Sequence, residues 1–194
     1  DDTEKQAGYP IDHSDGGCNC TPQCQQNSPW TRQVDTLRID AKDAISDSGL
    51  EIWSLLEQRS IKHIILMGVH TNMCVLGRPF GIRQLVKLGF NVVLVRDLTD
   101  SMYNPASWPY VNHFRGTSLV VEHIEQRVCP TTTSDQLLGS EPFRFKGDRP
   151  PHVVFMIGES EYNTASTLPM FAKKQLEYRG IRCTFVHVSE NDPN

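Results

Sequence analysis

Apolar residues along the chain fall into short uninterrupted runs separated by stretches of helical period. Ile64-Ile65-Leu66-Met67 and Val92-Val93-Leu94-Val95 are unbroken, the pattern of strands covered by helices on both faces of a parallel sheet. Between them, residues 72–88 predict a helix, with Gly89 placed to end it. Strand, helix and strand make a βαβ unit with a right-handed crossover. Ahead of it, residues 34–39 alternate imperfectly between apolar and polar and predict a short half-buried strand. Ser48-Gly49-Leu50-Glu51 predicts a helix start in which Ser48 and Glu51 satisfy the first free amides. Leu50, Trp53, Leu55 and Leu56 give that helix one apolar face. Residues 122–127 predict a further helix, and 128–133 an edge strand.

Residues 139–151 are rich in Gly, Pro and charge and predict a linker. Beyond it, strand, helix and strand repeat at 152–157, 167–179 and 181–188. This unit is too short to bury both faces of its own sheet, so it is expected to open a second α/β domain. At the other end, residues 1–33 are polar and turn-rich, with Asp15-Gly16-Gly17 a turn signal, and the chain opens at Asp1. Both ends predict a segment of a longer protein, with residues 1–138 forming a domain whose first strand lies upstream.

Composition narrows the partners. Of 194 residues, 38% are hydrophobic, enough for a packed core. Nineteen basic against twenty-three acidic side chains give a net charge of -4 with no Lys/Arg cluster, which argues against nucleic acid. The longest apolar run, Val153-Val154-Phe155-Met156-Ile157, is far short of the roughly twenty residues of a membrane helix, so no membrane partner is expected.

Cysteines stand at 18, 20, 24, 74, 129 and 183. The first three crowd into Cys-Asn-Cys-Thr-Pro-Gln-Cys, and with His13 nearby they offer soft ligands for zinc. The spacing is not the paired Cys-x-x-Cys and no second pair follows, so free or bridged thiols are preferred and no metal is assigned. Cys129 and Cys183 lie in or beside strands and read as packing residues.

Cys74 is different. It follows a buried strand within Gly68-Val69-His70-Thr71-Asn72-Met73-Cys74, at the strand end where open α/β sheets bind ligands. In the first turn of a helix, unpaired amides and the dipole favour a thiolate, and turn amides can stabilise an oxyanion. The competing reading is a small buried core residue. His70 reads as a turn histidine bonded to the backbone rather than a general base. Arg78, Arg83 and Arg96 read as solvated or paired rather than as substrate clamps. The aromatic residues Tyr103, Trp108, Tyr110 and Phe114 suit core packing, or the wall of a pocket or interface.

His63-Ile64-Ile65-Leu66-Met67-Gly68-Val69-His70-Thr71-Asn72-Met73-Cys74-Val75, followed by Gly89 and Val93-Leu94-Val95-Arg96-Asp97, resembles the isochorismatase-like cysteine hydrolases, which include the nicotinamidases. The resemblance covers roughly residues 34–138, and Gly-Val-x-Thr-Asn-x-Cys-Val is its specific part. It implies a three-layer αβα fold with a parallel sheet and a small-molecule substrate. It also implies thiolate attack on an amide-type carbonyl, through an acyl-enzyme, without a cofactor. Cys74 matches the nucleophile, and the Val69–His70 bond matches a cis peptide. The amides of His70 and Cys74 match the oxyanion donors, and Lys42 stands in the region of the family's lysine. The family's proton-accepting Asp is expected upstream of residue 1, Asp12 and Asp15 being loop residues. Family members often self-associate, which implies an oligomer.

The tail, from Pro151-His152-Val153-Val154-Phe155-Met156-Ile157-Gly158 to Val186-His187-Val188, resembles the opening of ThuA-like trehalose-utilisation domains. Three functions compete: a cysteine hydrolase of small C–N bonds, a non-catalytic module of the same fold, and a metal protein organised by Cys18, Cys20, Cys24 and His13. Vinyl-ether cleavage ranks below amide hydrolysis, because it needs no cysteine.

Overall fold

The computed structural model describes residues 8–24, 31–148, 150–158 and 162–187. Helix α1 (Gly49–Gln58) starts where Ser48 accepts the Glu51 amide at 3.3 Å. The expected capping box is rerouted through Ser46, whose hydroxyl accepts the Ser48 amide and donates to Glu51 Oε2. The apolar face of α1 is only partly used. Leu55 and Leu56 are half-buried, while Leu50 is 72% exposed.

Strands β1 (His63–Val69) and β2 (Asn91–Asp100) pair in parallel, Ile64 beside Val92 and Leu66 beside Leu94. The register then jumps, so that Gly68 pairs with Thr99 and β2 bulges over residues 95–98. Gly68 has φ +110, which a side chain would disfavour. The crossover between the strands carries helix α2 (Ile82–Lys87), and Gly89 at φ +86 ends it as expected. Helix α3 (His113–Arg127) follows β2, and the short strand β3 (Thr131–Thr132) lies parallel to Leu94 and Val95 at the sheet edge. Ser134–Leu138 forms helix α4. This parallel α/β arrangement is the fold class the sequence predicts.

Val92 and Leu94 of β2, Ile82 and Leu85 of α2, and Val120 and Ile124 of α3 make the centre of the core. Burying a side chain of this size stabilises the fold by ~1.5–3 kcal/mol. Only one face of β1 shares in this. Ile64 and Leu66 pack inward, whereas Ile65, Met67 and Val69 alternate to a side where each is more than half exposed. The expectation of a strand covered on both faces therefore holds for one face of β1 among the described residues.

Other expectations also change. Residues 34–39 form turns, with Val34, Leu37 and Ile39 exposed, because no neighbouring strand pairs with them among the described residues. The helix expected over 72–88 is broken at Arg78 and Pro79, since Pro79 cannot donate a helical hydrogen bond. The helix expected at 122–127 begins much earlier, at residue 113, where Asn112 Oδ1 accepts the Arg115 amide at 2.8 Å.

A second, separate sheet pairs β4 (His152–Ile157) with β5 (Arg182–His187) in parallel, from His152 beside Arg182 to Ile157 beside His187. Helix α5 (Thr164–Phe171) runs on through a wide turn and a tight turn to Arg179 between them. Val188, the expected end of the last strand, lies outside the described residues. Phe155 and Phe185 stack with ring centroids 5.1 Å apart, and among the described residues of this unit only Ile157 and Ala172 are buried. Among the described residues no helix is long and apolar enough to cross a membrane.

Candidate active site

The turn after β1 is built by short polar side chains that reach across to the end of β2. The Thr71 hydroxyl lies 2.5 Å from that of Thr99 and donates to the Asp100 carbonyl at 2.9 Å. Thr99 in turn donates to the Gly68 carbonyl at 2.7 Å. Asn72 holds both backbone groups of Met102, donating to its carbonyl at 2.9 Å and accepting its amide at 2.8 Å. Thr71, Asn72 and Thr99 are buried, so each of these groups would otherwise lie unpaired away from water. The Val69–His70 peptide bond is cis. His70 precedes a wide helical turn, Thr71–Val75, and its carbonyl accepts the amides of Met73 and Val75, each at 3.1 Å.

Cys74 sits on this turn, half-buried, as a free thiol. The chain then folds back sharply. Gly81 donates to the Arg78 carbonyl at 2.7 Å, and a Cβ at position 81 would come within 2.8 Å of the Val75 carbonyl oxygen. Arg78 follows Cys74 by one helical turn, its amide donating to the Cys74 carbonyl at 3.2 Å, which sets its exposed side chain on the side of the thiol. Its Cys74 neighbour, with a smaller contribution from Asp47, raises Arg78 above its ordinary value. Gly49 packs against Pro79, so the start of α1 also lies at this end of the sheet.

Lys42 lies elsewhere. Its carbonyl accepts from Arg59 at 3.4 Å, at the far end of α1 and next to the beginning of β1. No hydrogen bond or ion pair among the described residues joins the Lys42 amine to Cys74. Asp12 accepts the Ser14 amide at 2.8 Å. Asp15 accepts from Asn104 at 2.9 Å, Ser107 at 3.0 Å and the Gly17 amide at 2.8 Å, and the Asn104 bond leads in lowering its pKa. Both carboxylates pin loops.

Sequence reasoning missed a second cluster on the segment that Asn72 grips. Asp100 Oδ1 accepts from His113 Nε2 at 2.8 Å, Thr117 at 3.0 Å and the Ser101 amide at 2.9 Å. His113 Nδ1 faces the Tyr103 carbonyl at 3.0 Å. With an acceptor at each nitrogen, the ring satisfies both only when it carries both protons. Its bond to Asp100 accordingly raises the His113 pKa. Burial pushes Asp100 up, but the His113 bond and the other donors outweigh it and hold Asp100 below its ordinary value. No regular spacing joins residues 100 and 113, so the sequence carried no signal for the pair. Arg78 was legible, and its spacing of four residues from Cys74 is the signal that sets it one helical turn beyond the thiol.

Among the aromatic residues, Tyr103 is buried against Gly116 and its hydroxyl donates to the Ser107 carbonyl at 2.8 Å. Trp108 and Tyr110 are exposed. A cleft of about 350 Å³ opens beside His113, between the start of α3 and Gly147, Asp148, Pro150 and Pro151, but Cys74 is not among its walls.

A family model described as the isochorismatase domain matches residues 13–135. No curated protein and no solved structure matches the chain. The match covers more than half of the chain and agrees with its parallel α/β fold: the chain belongs to the isochorismatase family, a family of hydrolases.

Proposed function

We propose that the chain is the cysteine-bearing part of a hydrolase acting on a small amide or related C–N bond. The observation that carries this is Cys74 on a turn tied to two strand ends, with Arg78 one helical turn beyond it, its amide on the Cys74 carbonyl at 3.2 Å. A guanidinium there stabilises the anionic sulfur that attacks. The thiolate adds to the carbonyl carbon, and the amides of His70 and Cys74 take the oxyanion. As the tetrahedral adduct collapses, the C–N bond breaks and nitrogen leaves with a proton. Water then cleaves the thioester, releasing the acid and restoring the thiol. No cofactor enters this sequence. The resemblance supports a self-associating protein, and supports residues 152–194 as the opening of a ThuA-like fusion partner.

A second reading, a non-catalytic binding or assembly module, draws on the positions of Lys42, Asp12 and Asp15. None of them stands beside Cys74 as a proton acceptor. Incubation with a panel of small amides and activated esters separates the two. A hydrolase gives an acyl adduct on the Cys74 peptide and product release, both absent in Cys74→Ser. Ligand retention without an adduct or product identifies the binding module.

A further inference from the structure

We propose that Cys18, Cys20 and Cys24 form a three-thiolate site for a thiophilic dication of the zinc type. Their sulfurs all lie within 4.8 Å of one another, and those of Cys18 and Cys24 are 3.5 Å apart. A tetrahedral zinc with Zn–S bonds of about 2.3 Å sets its sulfurs roughly 3.8 Å apart, so the observed spacing brackets what the ion needs. The Cys20 amide donates to Cys18 Sγ at 3.4 Å, the kind of outer bond that fixes a ligating sulfur. Cys20 and Cys24 are exposed and Cys18 partly so, which leaves the ion a route in.

The ligands do not hang on a loose tail. Asp15 ties the preceding loop to Asn104 and Ser107, and the Asp12 amide donates to the Trp108 carbonyl at 2.8 Å. Gly17, next to Cys18, lies so close to the main chain that a Cβ would fall 2.9 Å from the Met102 carbonyl carbon. Met102 is the residue Asn72 holds, so an ion at the cysteines braces a segment that also supports the nucleophile turn.

Binding replaces three S–H bonds with three metal–sulfur bonds and releases the thiol protons to water. Zinc and three thiolates carry a net single negative charge, and water takes the fourth position. The His13 ring packs edge-on against Tyr9 at 5.0 Å and is not part of the cluster. A Cys18–Cys24 disulfide would require closure to about 2.05 Å and an oxidant, and would leave Cys20 without a role. The ion uses all three sulfurs.

The test is a Co²⁺ titration of the chain, reduced and stripped with chelator, followed by competition with Zn²⁺ and thermal melts. One Co²⁺ per chain is expected, with a sulfur-to-cobalt charge-transfer band that Zn²⁺ abolishes, and a Zn²⁺-dependent rise in melting temperature. Cys20→Ser should weaken Co²⁺ binding at least about tenfold and remove that rise, while His13→Ala and Cys74→Ser leave both intact. The proposal is overturned by absence of the band, or by its survival when all three cysteines are serine. Loss of the band in His13→Ala, or a Cys18–Cys24 disulfide in the reduced protein, overturns it equally.

Discussion

At Asn72 a single buried side chain satisfies both the amide and the carbonyl of Met102. Replacing it with alanine leaves those half-buried groups without their partners, and an unpaired buried group costs ~1–3 kcal/mol. Asn72→Ala should therefore lose about 2 kcal/mol or more in a denaturant titration. His113 and Asp100 give a pH dependence of definite sign. The folded pKa of His113 is raised above its ordinary 6.5, so its contribution to stability is complete below that value and disappears as pH rises through the folded value. The folded pKa of Asp100 is lowered below 3.8, so its contribution is complete above that value and disappears as pH falls through the folded value. The pair should add most between about pH 4 and 6.5. The difference in unfolding free energy between the protein and His113→Gln should shrink on both sides of that window. A flat difference from pH 3 to 9 would remove the pair from the account.

Helix α3 shows what local pattern reads and what it misses. Its second half, with Glu122, Ile124 and Arg127, has ordinary helical composition and was legible. Its first half holds His113, Phe114, Gly116 and Thr117, which a propensity reading treats as loop. The helix extends there because Asn112 caps it locally while the His113–Asp100 pair and Tyr103 against Gly116 hold it through tertiary contacts. A Cβ at 116 would overlap the Tyr103 ring, so Gly116→Ala should lose ~1–3 kcal/mol despite alanine's better helix propensity. A rise in melting temperature would show that Tyr103 moves aside freely. Residues 34–39 are the opposite case. Their pattern fits a strand, but a strand needs a neighbour, and they find none among the described residues. The strands with continuous apolar runs were legible because burial, rather than partner choice, sets their composition.

At the scale of the molecule, two parallel sheets meet through polar contacts rather than a shared core. Arg115 donates to the Tyr178 carbonyl at 2.9 Å with its guanidinium over the Tyr178 ring, and Arg179 donates to the Tyr110 carbonyl at 3.2 Å. The sequence made the order of these units legible, and it placed Cys74 on the turn after β1, because one short motif holds the whole strand-turn segment.

The central claim is that Cys74 is a nucleophile whose reactivity comes from its surroundings. It is most directly tested by the alkylation rates of individual cysteines with iodoacetamide, read by peptide mass spectrometry in the presence of chelator and without oxidant. Cys74 is less exposed than Cys20 and Cys24, so accessibility alone would make it the slower of the three. The account predicts that Cys74 reacts faster than either, and that Arg78→Ala slows it severalfold while leaving Cys20 and Cys24 unchanged. A Cys74 rate below theirs, or one indifferent to Arg78, would contradict it.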